Sequence, residues 1–148
     1  MQGNIAIFWP MIVQAALTLC VYPLLTIRRR RVAARGEARF EDIANGHPEP
    51  EESRVVSRNI ANQYELPVLF FVVCLSLYVT NGASWLAVVL AWIFALSRIV
   101  HAVIHLGPNV VIHRGLAFII GFIVVAVLWI MLALHVLNVG AVVGAPLA

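Results

Sequence analysis

Long stretches without an ionised side chain constrain this chain more than any other feature: residues 1–27, 66–97 and 115–148. Each exceeds the roughly 20 apolar residues that a helix needs to cross a bilayer. The rest of the composition agrees, with 62% hydrophobic residues, 11% charged and a mean hydropathy of +0.94, outside the usual balance of a soluble domain. Lipid is therefore the expected solvent for much of the chain. Residues 66–114 hold the extra span, because Thr80-Asn81-Gly82-Ala83-Ser84 reads as a turn and Gly107-Pro108-Asn109 ends the helix that follows. The expectation is an all-α membrane bundle forming one domain, with spans at about 6–27, 56–79, 85–106 and 115–139.

All ten basic residues are arginine, and eight of them lie between Arg28 and Arg58. The positive-inside rule then puts loop 28–55 in the cytoplasm, with both termini and the 80–84 turn on the other side; Arg114 agrees with that choice. A bacterial inner membrane is the expected location. The net charge of +3 does not argue for nucleic acid, since Arg28-Arg29-Arg30-Arg31 abuts a span and suits anionic lipid headgroups. Cys20 and Cys74 fall inside apolar spans with no paired spacing, which argues against a disulfide framework. Phe8-Trp9-Pro10 reads as an interfacial entry into a retained helix. Gly46-His47-Pro48-Glu49-Pro50-Glu51 breaks the polar loop, after which Glu51 and Glu52 suit the start of the second helix. Pro67 is a place where that helix can kink.

Charged residues inside the spans carry the functional argument. Arg54, Arg58, Asn62 and Glu65 step by four, four and three, so they share one helix face. Glu65 lies roughly 15 Å along the helix from Arg54, and an acid at that depth is costly unless paired. Arg98, His101 and His105 repeat the spacing on the third span, which suggests that Glu65 pairs with Arg98 where the two faces meet. Asn109, His113 and Arg114 add polar groups at the same side. An arginine-rich pocket there is expected to accept an anionic ligand, although a network that only locks helices together is the plainer alternative. A metal site built from His101, His105 and Glu65, with His113, is disfavoured: Ala102 stands where a zincin has glutamate, and arginines oppose a dication. His135, in an apolar run, reads as an interfacial ring.

The segment Arg58-Asn59-Ile60-Ala61-Asn62-Gln63-Tyr64-Glu65-Leu66-Pro67, with Arg98-Ile99-Val100-His101 and Arg114, resembles the MAPEG family, small membrane proteins of eicosanoid and glutathione metabolism. The resemblance implies a homotrimer with glutathione, a co-substrate, held between subunits near the cytoplasmic side. It also implies glutathione transfer to a lipophilic electrophile, or peroxide reduction. Arg58, Asn62, Glu65, Arg98 and His101 would bind the tripeptide, and Arg114 and His105 would act on its thiol. The sequence departs from the family at Ala61, where active members often carry a basic residue, at His105, where many have tyrosine, and at Gly115, where one type has serine. A non-catalytic module for a lipid or other anionic amphiphile, or a structural oligomer, is the alternative.

Overall fold

The computed structural model describes residues 3–143. The chain is all-α, and four of its helical stretches are long and apolar enough to cross a membrane: Ile5–Ala34, Glu51–Val79, Trp85–Leu106 and Val111–Val139. A single 3₁₀ turn, Ile5–Ile7, leads into α1, Phe8–Ala34. A short α2, Phe40–Ala44, sits in the polar loop. Then follow α3, Glu51–Gln63, α4, Leu66–Val79, α5, Trp85–Leu106, and α6, Val111–Val143.

These bounds differ from the sequence expectation in three places. The first helix does not stop at Ile27 but runs on through Arg28–Arg31 to Ala34, because arginine and alanine are good helix formers and no breaker comes before Gly36. The second span is divided, with Tyr64 and Glu65 outside helix. Pro67 explains the break: it has no N–H for the carbonyl of Gln63, and its ring clashes with that carbonyl in a continuous helix. The last helix starts at Val111, four residues before Gly115, since Asn109 takes φ 50° and closes the turn after Pro108.

Packing follows the small residues. Ala87, Ala91, Ala95 and Ala102 make a buried line on α5, and α5 packs along α6, where Gly121 comes close to Phe94 and Ser97. Phe70 of α4 stacks on Phe94 of α5 with ring centroids 4.1 Å apart, and Ile7, Val73, Cys74, Leu77 and Leu128 complete the core. The outward faces carry Leu19, Leu86, Ile93, Leu96, Ile119 and Ile123, all exposed in the single chain, as expected of side chains that meet acyl tails.

Hydrogen bonds fix both ends of the bundle. At one end the N-terminal segment is tied to the 80–84 turn: Asn4 N donates to the Ala83 carbonyl and Gly3 N to Asn81 Oδ1, each at 3.0 Å. The expected interfacial ring, His135, is half-buried there and donates through Nε2 to the Thr80 carbonyl at 2.9 Å. Gly82 is required beneath it, because a Cβ at that position would lie 2.6 Å from the imidazole. Between the ends, α1 and α3 are joined by a buried amide ladder, in which Gln14 Nε2 donates to Gln63 Oε1 at 2.8 Å and Gln63 Nε2 to Asn59 Oδ1 at 3.2 Å.

At the other end, ion pairs hold the polar loop to the helices. Arg28 pairs with Glu52 at 3.3 Å, Arg29 with Glu49 at 2.7 Å, and Arg35 with Glu52 and Glu37, both at 2.5 Å. Burial alone would raise the Glu49 carboxyl. Hydrogen bonds from Arg29, Ser57 and Ser53, together with the Arg29 charge, outweigh it and hold Glu49 below the ordinary carboxylate range. A carboxyl whose value is depressed by folding contributes stability above its unfolded value of about 4.3 and loses it as pH falls through the folded value. Acidification from pH 6 to 3 should therefore speed cleavage of residues 35–50 by an acid-active protease several-fold. Glu49→Gln should be cleaved faster already at pH 6 and respond less to acid; equal pH dependence in both proteins would count against this anchor.

Candidate functional site

The helix break at residues 64–65 creates the site. Ending α3 at Gln63 leaves its last carbonyls without an intrahelical donor, and Arg98 of α5 supplies one, its Nη2 donating to the Asn62 carbonyl at 2.8 Å. A cation at a helix C-terminus also faces the negative end of the helix dipole. Arg98 is wholly buried (0% exposed), and its Nε and Nη1 have no hydrogen-bond partner among the described residues. The Phe118 ring, 5.9 Å from Arg98 Cζ, is the nearby aromatic contact. The expected Arg98–Glu65 ion pair does not form: none of the ion pairs among the described residues includes either group. The backbone turn at Glu65 (φ −93°, ψ −100°) leaves its residue exposed, and Arg98 takes the Asn62 carbonyl instead.

In front of Arg98 lies an open cleft of about 710 Å³, bounded by α3, α5 and the first turns of α6. Its polar wall carries Arg58, Asn62, Glu65, His101, His105 and Arg114. The structure thus gathers every site residue expected from sequence around this cleft, six on its wall and Arg98 behind it. Arg58 and Arg114 have no carboxylate partner among the described residues. His113, on the same turn as Arg114, is exposed and does not line the cleft.

Two contacts hold Arg114 from opposite sides. His101 Nδ1 donates to the Arg114 carbonyl at 3.2 Å, which fixes the ring proton on Nδ1 and leaves Nε2 as a buried acceptor without a partner. The Arg114 guanidinium donates through Nη1 to Asn109 Oδ1 at 2.6 Å. Asn62 Nδ2 approaches His105 Nδ1 at 3.5 Å, the outer limit of a hydrogen bond. Ala61 and Gly115, the positions that depart from the resembled family, both border the cleft and contribute space there.

Sequence reasoning missed the apolar half of the site and one polar partner. Val111, Phe118 and Ile119 form the second wall; the spacing of Phe118, one turn after Arg114, was the available signal. Asn109 reads from sequence only as a polar group, and its role as the anchor of Arg114 depends on a left-handed turn (φ 50°) that spacing does not reveal. Chemically, the cleft offers guanidiniums for carboxylates, one accessible carboxylate for a cation, imidazoles for proton transfer and an apolar wall that continues into the lipid-facing surface.

Neither the curated proteins nor the solved structures compared with the chain gave a match. Residues 7–134, however, match the model of the MAPEG family, and with four spanning helices carrying that match, the chain is an integral, multi-pass membrane protein that belongs to the MAPEG family.

Proposed function

We propose that the cleft binds glutathione and that the protein uses its thiolate on a lipophilic electrophile, as a transferase or a peroxidase. One observation carries the reading: Arg58, Arg114, Asn62 and Glu65 converge on a single cleft whose volume lies in the range of small-molecule sites. Glutathione presents two carboxylates and one ammonium. Two guanidiniums without carboxylate partners and one accessible carboxylate complement that pattern, with bidentate Arg–carboxylate contacts supplying orientation. Arg98, buried behind the cleft with two unpartnered nitrogens, adds positive potential, and His101 keeps Arg114 in place. A guanidinium beside the sulfur favours thiolate over thiol, so Arg114 and His105 are the groups assigned to activation. The wall of Val111, Phe118 and Ile119 receives an apolar electrophile from the bilayer.

The same reading includes a homotrimer. Arg58 and Glu65 are exposed in the single chain, and a second copy against α3 would close the cleft and raise the strength of its ionic contacts by excluding water. The arginine-rich loop end faces the cytoplasm in this arrangement, in a bacterial inner membrane.

The test is binding of glutathione to the protein held in lipid nanodiscs, with particle mass measured on the same sample. Saturable binding at or below millimolar concentration is expected, with a trimer mass and turnover of an aryl halide or a lipid hydroperoxide. Binding without turnover would leave a glutathione-binding module. No binding by a correctly assembled particle would overturn the reading in favour of an anionic lipid held across Arg58 and Arg114.

A further inference from the structure

A second polar pocket, of about 170 Å³, lies directly behind the cleft and is bounded by Arg28, Glu51, Glu52, Val55, Val56, His105, Leu106, Gly107 and Asn109. The two spaces are joined by shared groups: His105 borders both, and Asn109 of the second pocket holds Arg114 of the first. The second pocket reaches the loop end of the bundle, where Glu51 is exposed and Glu52 half-buried. We infer that His105 and this pocket form the exit route for the proton released when a thiol in the cleft ionises, carrying it to water at the loop-side surface. This rests on the glutathione reading and extends it to the fate of the proton.

Thiolate formation in a cleft closed by a second copy needs such a route. A proton left beside Arg58, Arg98 and Arg114 would add a positive charge to a site already crowded with them, and the apolar wall of Val111, Phe118 and Ile119 offers no acceptor. His105 is the titratable group placed between that site and the polar pocket. It faces Arg58 and Asn62 from α3, His101 from its own helix, with ring centroids 5.8 Å apart, and Arg114 from α6; on the pocket side it faces Arg28, Glu51 and Glu52. Its Nδ1 meets only the long 3.5 Å approach of Asn62 Nδ2, so in the tautomer protonated at Nε2 the Nδ1 lone pair remains available.

The transfer balances. The S–H bond breaks with its electron pair left on sulfur, and Nδ1 accepts the proton directly or through one water. Nε2 then gives its proton to water in the second pocket, and that water passes it to solvent past Glu52. Exchange with water returns the ring to its starting tautomer.

The experiment uses rapid mixing of the nanodisc-held protein with glutathione in weak buffer, following thiolate by ultraviolet absorbance and released protons by a pH dye. In the wild type the two signals should rise together. His105→Phe should still bind glutathione by equilibrium dialysis, yet form thiolate at least about tenfold more slowly. His105→Ala, which leaves the buried ring's space empty, should be slowed likewise, and there added imidazole should restore much of the rate. Val55→Phe, which narrows the second pocket from the side away from the cleft, should slow both signals without weakening binding. Wild-type rates in a correctly assembled His105→Phe protein that binds glutathione would overturn the route and leave the glutathione reading intact. Slowing that imidazole does not relieve, together with normal rates in Val55→Phe, would assign His105 a structural role and overturn it equally. Absence of glutathione binding by the wild type would overturn both.

Discussion

Arg98→Ala should weaken glutathione binding by about a hundredfold, or about 2.7 kcal/mol, and should do so more than any other single replacement at the cleft. The reason lies in where the guanidinium sits. It is wholly buried, it has Nε and Nη1 unpartnered, and the one partner it has is the Asn62 carbonyl. Truncating one member of a desolvated charged contact costs about 2–5 kcal/mol, whereas Arg58, exposed in the single chain, leaves no buried group unpaired when it is removed and should cost less. Arg98→Lys should fall between, because it keeps the charge but not the planar fork. The alanine variant also orphans the end of α3, a cost of about 1–3 kcal/mol, so helicity and particle mass must be recorded on the same samples. A folded, correctly assembled particle of Arg98→Ala with wild-type affinity would show that the buried charge serves the helix break alone. Glu65→Ala gives the complementary measurement: it removes an exposed carboxylate that caps nothing by its side chain, and because its charge also acts on buried Arg98, helicity and particle mass are recorded for it as well.

The sequence made the spans and the polar constellation legible, for a simple physical reason. Ionised groups are so costly in lipid that their positions mark helix ends and site residues directly, and helical periodicity is enough to put Arg58 and Asn62 on one face, whereas Glu65 borders the same cleft from the turn after α3. What it left hidden depends on the third dimension. Pro67 signals a kink, but only the packed structure shows that the resulting gap exposes the Asn62 carbonyl and that Arg98 fills it. Glu65 and Arg98 have the right charges to pair, yet the turn at residues 64–65 leaves the acid exposed while the base is buried. The loop is another case. Arg28 to Arg31 read as a cationic patch on lipid, but Arg28 and Arg29 are held by Glu52 and Glu49, and sequence distance conceals such pairs. The apolar wall was the hardest part to foresee, since Phe118 and Ile119 look like any lipid-facing residues until α5 and α6 are placed together.

That placement depends on Gly121, and Gly121→Leu should both destabilise the bundle and disable the site. A Cβ at this position would lie 2.9 Å from Ser97 Oγ and 3.6 Å from the Phe94 ring. Neither neighbour can yield cheaply: Ser97 Oγ donates to the Phe94 carbonyl at 2.7 Å, and the Phe94 ring is wholly buried and stacked on Phe70. In lipid the association of helices relies on close packing, so α6 must move away from α5, at a cost of about 1–3 kcal/mol or more. Phe118 and Arg114 lie one and two turns before Gly121 on the same helix, and the shift would carry them with it. The 3.2 Å bond from His101 to the Arg114 carbonyl and the contact of Arg98 with Phe118 would open together. Thermal unfolding in nanodiscs should therefore occur several degrees lower, with glutathione affinity reduced at temperatures where the helices remain intact. Gly121→Ala should show both effects more weakly, because its Cβ meets Ser97 Oγ at 2.9 Å but brings none of the further carbons of leucine. Wild-type melting and binding in Gly121→Leu would mean that α6 is not held at this distance. A loss of stability with unchanged affinity would instead separate the α5–α6 contact from the geometry of the cleft.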